Sequence, residues 1–183
     1  MTRTKLFGLL LIGAGLVILG VTAWILLPSL NLTASKAGTV LPVAVNYDAP
    51  QLALSDLQGK EASLADYRGQ VVLVNNWATW CPPCQVEMPD LEAYYQKHQV
   101  EDFTVVGIEA GGEPHDEVAG FVKNYGLTFP VWLDPHDQAY AAFHYPGLPT
   151  SYVIDRQGKV RFVWMGAISR EALEKYITPL LED

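Results

Sequence analysis

Val71-Val72-Leu73-Val74-Asn75-Asn76-Trp77-Ala78-Thr79-Trp80-Cys81-Pro82-Pro83-Cys84 runs from an uninterrupted β-type segment straight into two cysteines separated by two prolines. Four aliphatic residues in succession, without polar alternation, mark a strand buried on both faces. From Pro82 to about His98 the apolar positions Val86, Leu91, Tyr94 and Tyr95 fit a helix, which Pro89 should kink because it removes an amide donor. The stretch reads strand, turn, helix, with the cysteines at the turn. Chemistry at the C-terminal end of a central strand belongs to sheets covered by helices on both faces.

These are the only two cysteines of the chain, so any thiol chemistry lies between Cys81 and Cys84. Three positions apart, they meet on one side of a helical turn and can exchange a disulfide for a dithiol. As a structural staple the bridge would do little, because it closes too short a loop. Cys81 falls at the helix N-cap, where free amides and the positive end of the dipole favour the thiolate, so it reads as the nucleophile. Cys84, one turn further in, reads as the resolving thiol. Pro82 and Pro83 have no N–H, which leaves the Cys84 amide as donor to Cys81, with a modest depression of its thiol pKa and a reducing protein as the expectation. Glu87 lies three residues beyond Cys84 on the same helix face, as a base for the shielded thiol or as an ordinary solvated carboxylate.

The flanking sequence alternates strands and helices. Leu52 to Leu54 reads as a short strand, Gly59-Lys60 as a turn, and Ser63 to Gly69 as a short helical or turn segment. Phe103 to Ile108 is a second buried strand, Pro114 to Tyr125 an amphipathic helix stopped by Gly126, and Phe129 to Leu133 a third strand. A short helix spans about Gln138 to Phe143. Thr150 to Ile154 and Val160 to Met165 form a hairpin across Asp155-Arg156-Gln157-Gly158-Lys159. A last helix runs from Ser169, as N-cap, to about Leu181, unless Pro179 shortens it. The sum is an α/β fold with a mixed central sheet.

Residues Leu6 to Leu27 run for 22 positions without a charge, long enough as a helix to cross a bilayer. Arg3 and Lys5 precede them, so the N-terminus stays in the cytoplasm and the rest is extracytoplasmic. Trp24 near the outer end suits an uncleaved signal-anchor; a cleaved signal peptide would use Ala34-Ser35-Lys36-Ala37, and either exports the domain. The expected organisation is a cytoplasmic start and anchor over 1–28, a linker over 29–45 and the folded domain over 46–183. Outside the cytoplasm disulfides persist, and a lone dithiol is catalytic rather than idle. All 20 Asp and Glu fall from Asp48 onward against nine Lys and Arg, a balance of −11 with His neutral. That excludes nucleic acid and anionic lipid as partners of the domain surface and keeps it soluble.

Asn75-Asn76-Trp77-Ala78-Thr79-Trp80-Cys81-Pro82-Pro83-Cys84, then Glu87-Met88-Pro89, and far downstream Gly147-Leu148-Pro149-Thr150, resemble the thioredoxin superfamily. More narrowly, residues 46 to 183 resemble the membrane-anchored TlpA/ResA-like thiol-disulfide oxidoreductases, whose extra αβ insertion matches the segment between Phe103 and Leu133. The resemblance implies a thioredoxin-like fold with Cys81, Cys84 and Glu87 as catalytic residues. Plain thioredoxin carries an Asp where this chain has Asn75, which cannot titrate, so proton handling falls to Glu87. The resemblance makes Pro149 a cis-proline facing the cysteines and discouraging metal capture, with the Leu148 backbone free to pair with an extended substrate. Trp80, Pro82 and Pro83 complete the substrate-binding rim, while Trp77 belongs to the core. Glu109 and the Gly111-Gly112-Glu113 loop end the next strand at the same edge, as groove lining or as a solvated loop. No cofactor beyond the redox-active pair is implied. The implied partners are an exported disulfide protein such as apocytochrome c during cytochrome c maturation, and a transmembrane thiol electron donor.

Other chemistries fit less well. Haem attachment needs His after the second cysteine, where Gln85 stands. Zinc needs more than two cysteines, and His98, His115, His136 and His144 have no ligand-like spacing. A thiol peroxidase of the peroxiredoxin type would want Pro where Trp77 stands. Copper-delivering relatives use a CxxxC spacing with a distant His. A non-catalytic redox sensor or metallochaperone is the alternative of a different class; it would keep its partner after Cys81→Ser.

Overall fold

The computed structural model of the protein describes residues 40–144 and 147–182. In chain order it contains β1 (Val43–Asp48), β2 (Ala53–Asp56), β3 (Glu61–Ser63), a 3-10 turn (Leu64–Tyr67), β4 (Val71–Trp77) and α1 (Pro82–His98). There follow β5 (Phe103–Glu109), α2 (His115–Tyr125), β6 (Val131–Leu133), α3 (Gln138–Phe143), β7 (Thr150–Ile154), β8 (Lys159–Met165), α4 (Arg170–Tyr176) and α5 (Thr178–Glu182). The strands form one mixed sheet in the order β1-β8-β7-β4-β5-β6-β2-β3.

All seven residues of β4 are buried, as an aliphatic run without alternation demands. Val71 and Leu73 enter a core with Met88, Leu91 and Tyr94 of α1, Val118 of α2, and Leu173 of α4. Val72 and Val74 enter a second core with Val106, Ile108 and Trp132 and with Ala139 and Phe143 of α3. Both faces are therefore covered, and each fully buried aliphatic side chain contributes about 1.5–3 kcal/mol relative to exposure. β4 pairs in parallel with β5, Trp77 opposite Glu109, and antiparallel with β7, Asn76 opposite Thr150. That register brings the ends of β4 and β5 and the start of β7 to one edge.

Three expectations need correction. Val43 to Val45 are not linker but the start of β1, which pairs antiparallel with β8. β1 is an edge strand with five of its six residues exposed, so no buried face gave it a period to read. β3 is likewise a three-residue edge strand; it fills the gap between the Gly59-Lys60 turn and the segment expected from Ser63, and takes in Ser63 itself. The C-terminal helix is two helices, broken at Ile177, with Pro179 in the first turn of the second. Ser169 does cap the first, its hydroxyl accepting the Ala172 N–H at 3.3 Å. The stretch from Leu6 to Leu27 and the linker up to residue 39 lie outside the described residues, among which no helix is long and apolar enough to cross a membrane.

Candidate active site

Cys81 is extended at φ −86° and ψ 105° and caps α1, while Pro82 and Pro83 occupy the first helical positions, where a missing N–H leaves nothing unpaired. The donor that the prolines leave is in place: the Cys84 N–H points at Cys81 Sγ, 3.3 Å away. The two sulfurs are joined in a disulfide. Cys84 is fully buried and Cys81 is 3% exposed, at the foot of a rim where Trp80 is 63% exposed and Val86, Pro82 and Pro83 stand in solvent. Trp77 is core, as expected.

Glu87 is not a solvated carboxylate; it is 1% exposed. Its Oε1 accepts the Asn75 side-chain amide at 2.8 Å, and its Oε2 accepts the Ile168 backbone N–H at 2.8 Å. The same Asn75 Nδ2 also donates to Ser151 Oγ at 2.8 Å, so β4 and the loop after β8 meet at the α1 carboxyl, and β7 supports it through Asn75. Burial pushes the Glu87 pKa up to about 7, although the Ile168 and Asn75 hydrogen bonds pull against it. A carboxyl that titrates near neutrality, one turn along the helix from Cys84, can take up or release a proton there.

The opposite side of the motif is also tied down. Thr79 donates through its N–H and its hydroxyl to Glu113 Oε1, at 3.2 and 2.8 Å, and its carbonyl accepts the Gln85 side-chain amide at 2.6 Å. On the β7 side the Leu148–Pro149 peptide is cis, and the strand register places it level with the end of β4. The Pro149 carbonyl accepts the Gly166 N–H at 2.9 Å. Gly166 has φ 118°, a backbone conformation that favours glycine. Pro149 is buried and Leu148 half-buried.

A family model described as the AhpC/TSA family matches residues 45–163. The thiol-disulfide oxidoreductase ResA of Geobacillus thermodenitrificans is 39% identical over 135 residues, covering 74% of this chain and 77% of the relative. ResA of Bacillus subtilis is 35% identical, covering 71% and 72%. The chain belongs to the ResA-like thiol-disulfide oxidoreductases of the AhpC/TSA family. Among solved structures, a thiol:disulfide interchange protein of the thioredoxin family from Chlorobium tepidum superposes with TM-score 0.69 at 32% identity, covering 76% of this chain and 99% of that one. A secreted thiol-disulfide isomerase from Corynebacterium glutamicum superposes with TM-score 0.71 at 25% identity, covering 81% and 96%. The fold is thus thioredoxin-like, and Cys81–Cys84 is the active-site disulfide of a ResA-like oxidoreductase.

The structure gathers Cys81 at the N-cap of α1 with Cys84 and Glu87 on the helix, Trp80, Pro82 and Pro83 beside the sulfurs in the chain, and Leu148-Pro149 at the neighbouring strand end. What the sequence did not show is how Glu87 is held. In the sequence Asn75 reads as a group that cannot titrate, whereas in the structure it carries one of the two bonds to the carboxylate; Ser151 and Ile168 carry no sequence signal. The clue lay in Asn75-Asn76, two amides inside an otherwise apolar buried strand. A buried amide of this kind needs at least one partner, here for its Nδ2.

Proposed function

We propose that the reduced protein donates two electrons to disulfides of exported proteins. The Cys81 thiolate attacks a substrate disulfide, one substrate sulfur leaves, and a mixed disulfide forms. Cys84, giving its proton to the Glu87 carboxylate, attacks Cys81 Sγ; the second substrate sulfur leaves and the Cys81–Cys84 disulfide closes. A thiol electron donor then reduces that disulfide and restores the protein. The observation that carries this reading is Glu87, buried on the cysteine helix with its carboxyl brought to about 7. Trp80, Pro82 and Pro83 offer an apolar rim to the incoming chain, and the Leu148 backbone beside cis-Pro149 offers it hydrogen bonds.

The reading extends to the whole chain: residues 1–28 as a cytoplasmic start and membrane anchor, a short tether, and the domain held outside the cytoplasm from β1 onward. The substrate class that fits an anchored ResA-like reductant is apocytochrome c, whose CxxCH thiols must be free before haem attachment, with electrons passed across the membrane by a transmembrane thiol protein. With the full chain and dithiothreitol we expect catalysed reduction of insulin and of a CxxCH peptide, abolished in Cys81→Ser. Cys84→Ser should stall as a mixed disulfide in cells. If the trapped protein contains no cysteine, or the wild-type chain shows no turnover with both thiols free, this reading falls.

A further inference from the structure

Glu109, the last residue of β5, and Glu113, on the loop that follows, meet beneath the segment leading into Cys81. The Ala110 N–H donates to the Trp77 carbonyl at 2.9 Å, which seats this loop against the end of β4. A Cβ added at Gly111 would lie 2.6 Å from Glu113 Oε2, 2.7 Å from Glu109 Oε1 and 2.9 Å from Ala78 Cβ, so the two carboxylates and the strand end converge where only glycine leaves room. Glu109 is buried and accepts the Gly111 N–H through Oε1. Glu113 Oε1 holds Thr79 by two bonds, whereas Glu113 Oε2 is buried and, among the described residues, meets no donor. Two carboxylates in contact, one of them buried and the other half-buried, resist ionising together near neutral pH, and a buried oxygen needs a donor. A single proton satisfies both conditions.

We propose that Glu109 and Glu113 share one proton, and that this pair is a positioning device for the nucleophile. Glu109, protonated, donates to Glu113; Glu113, anionic, fixes Thr79 and with it the Ala78–Trp80 approach to Cys81. The proposal rests on the reading of Cys81 as nucleophile but concerns a separate titration. Burial, reinforced by Glu113 alongside, pushes the Glu109 pKa up to about 8. Burial works upward on Glu113 as well, but hydrogen bonds from Glu109 and Thr79 outweigh it and hold Glu113 below its ordinary value.

Charged groups on the adjoining elements are turned elsewhere. Asp134, after β6, gives its N–H to the Glu109 carbonyl at 2.9 Å while its carboxylate accepts the Gln138 and Ala139 amides at 2.8 and 2.7 Å. His115, opening α2, faces the Leu57 carbonyl at 2.8 Å and Asp116 at 3.1 Å. On the β4 side the titrating group is Cys81 itself, and only once reduced. Above the Glu109 value the proton passes to solvent, two adjacent carboxylates repel, and Thr79 is released.

The test uses the full chain in detergent micelles with the Cys81–Cys84 disulfide intact, so that neither sulfur titrates. The Thr79 and Gly111 amide resonances are followed from about pH 6 to about pH 10, a range that spans the Glu109 transition. We expect both to move together with one midpoint near 8. In Glu109→Gln, which still donates but cannot lose its proton, the transition disappears and Thr79 stays at its low-pH position. In Glu113→Gln the midpoint falls, because the neighbouring charge that opposes ionisation of Glu109 is gone. Glu87→Gln leaves the transition in place. A Thr79 amide that does not move in the wild-type chain, or a transition that survives Glu109→Gln, overturns the proposal; since no turnover is measured, either result leaves the assignment of Cys81 standing.

Discussion

Val71–Val74 and Asn75–Trp77 are consecutive halves of one strand, equally buried, and are held in place by different forces. The first half is satisfied by packing alone, its side chains entering the two cores in alternation. The second carries polar groups into the same depth. Asn75 binds Glu87 and Ser151, and Asn76 Nδ2 donates to the Thr150 carbonyl at 3.2 Å. Asn75 Oδ1, Asn76 Oδ1 and Trp77 Nε1 are buried without a partner among the described residues. An unpaired buried polar group destabilises by about 1–3 kcal/mol, so this half carries a cost that the aliphatic half does not, offset in part by the packing of Trp77 in the first core. The polar burden sits where the strand delivers the disulfide and positions Glu87. That division makes testable claims: changes in the first half should register in stability alone, and changes around the second in proton affinity.

The largest effect belongs to the aliphatic half. Leu73 is fully buried between β4 and the helices of the first core. Leu73→Ala deletes packed methyl groups and leaves a cavity, so we expect unfolding free energy to fall by about 2–5 kcal/mol in urea titrations. Insulin turnover per folded molecule should be unchanged. A variant of wild-type stability, or one whose turnover drops while it remains folded, would break the division.

Next is Glu87→Gln, read through pH. The folded protein holds the Glu87 proton more tightly than the unfolded chain, since the pKa rises from 4.5 to about 7. The associated stability is therefore complete below the ordinary carboxylate value and is lost as pH rises through about 7. The span corresponds to about 3 kcal/mol. The substituted amide has no proton to lose, so the decline of stability attributable to this site should vanish in the variant. Denaturation midpoints between about pH 4 and about pH 9 measure it. An identical pH slope in both proteins would mean that Glu87 is solvated.

The same two halves explain what could be read from the chain in advance. The bounds of α1, α3 and β7 agree with the sequence expectation. Aliphatic runs, Pro-Pro at a helix start and a strand-turn-strand pattern are local signals with local causes. The edge strands β1 and β3 escaped because a strand with no buried face shows no period. The cysteines, Glu87 and Pro149 were legible through motifs. The groups that tune Glu87 were not: Asn75, Ile168 and, through Asn75, Ser151 come from separate elements brought together only by the sheet register and the turn after β8. The Glu109–Glu113 contact escaped for a related reason. The two residues are close in sequence, but whether both carboxylates turn inward depends on Gly111 and on the seat that Ala78 and Thr79 provide.

Asn75→Ala should give the smallest change in stability and the most specific change in chemistry. The substitution removes the bonds to Glu87 and Ser151, which is unfavourable, but it also removes the unpaired Oδ1, which is favourable. The two nearly offset, and we expect a loss of about 1 kcal/mol below the Glu87 transition. The proton affinity of Glu87 responds without such compensation. The Asn75 amide favours the ionised carboxylate, so its removal leaves burial opposed only by the Ile168 N–H, and the pKa of Glu87 must rise above about 7. Carbon-13 resonances of the Glu87 carboxyl, followed against pH in the disulfide form, report this directly. An upward shift with little loss of stability would show that Asn75 serves the carboxylate rather than the core. A downward shift, or a loss as large as that of Leu73→Ala, would show that the two halves of β4 do the same job.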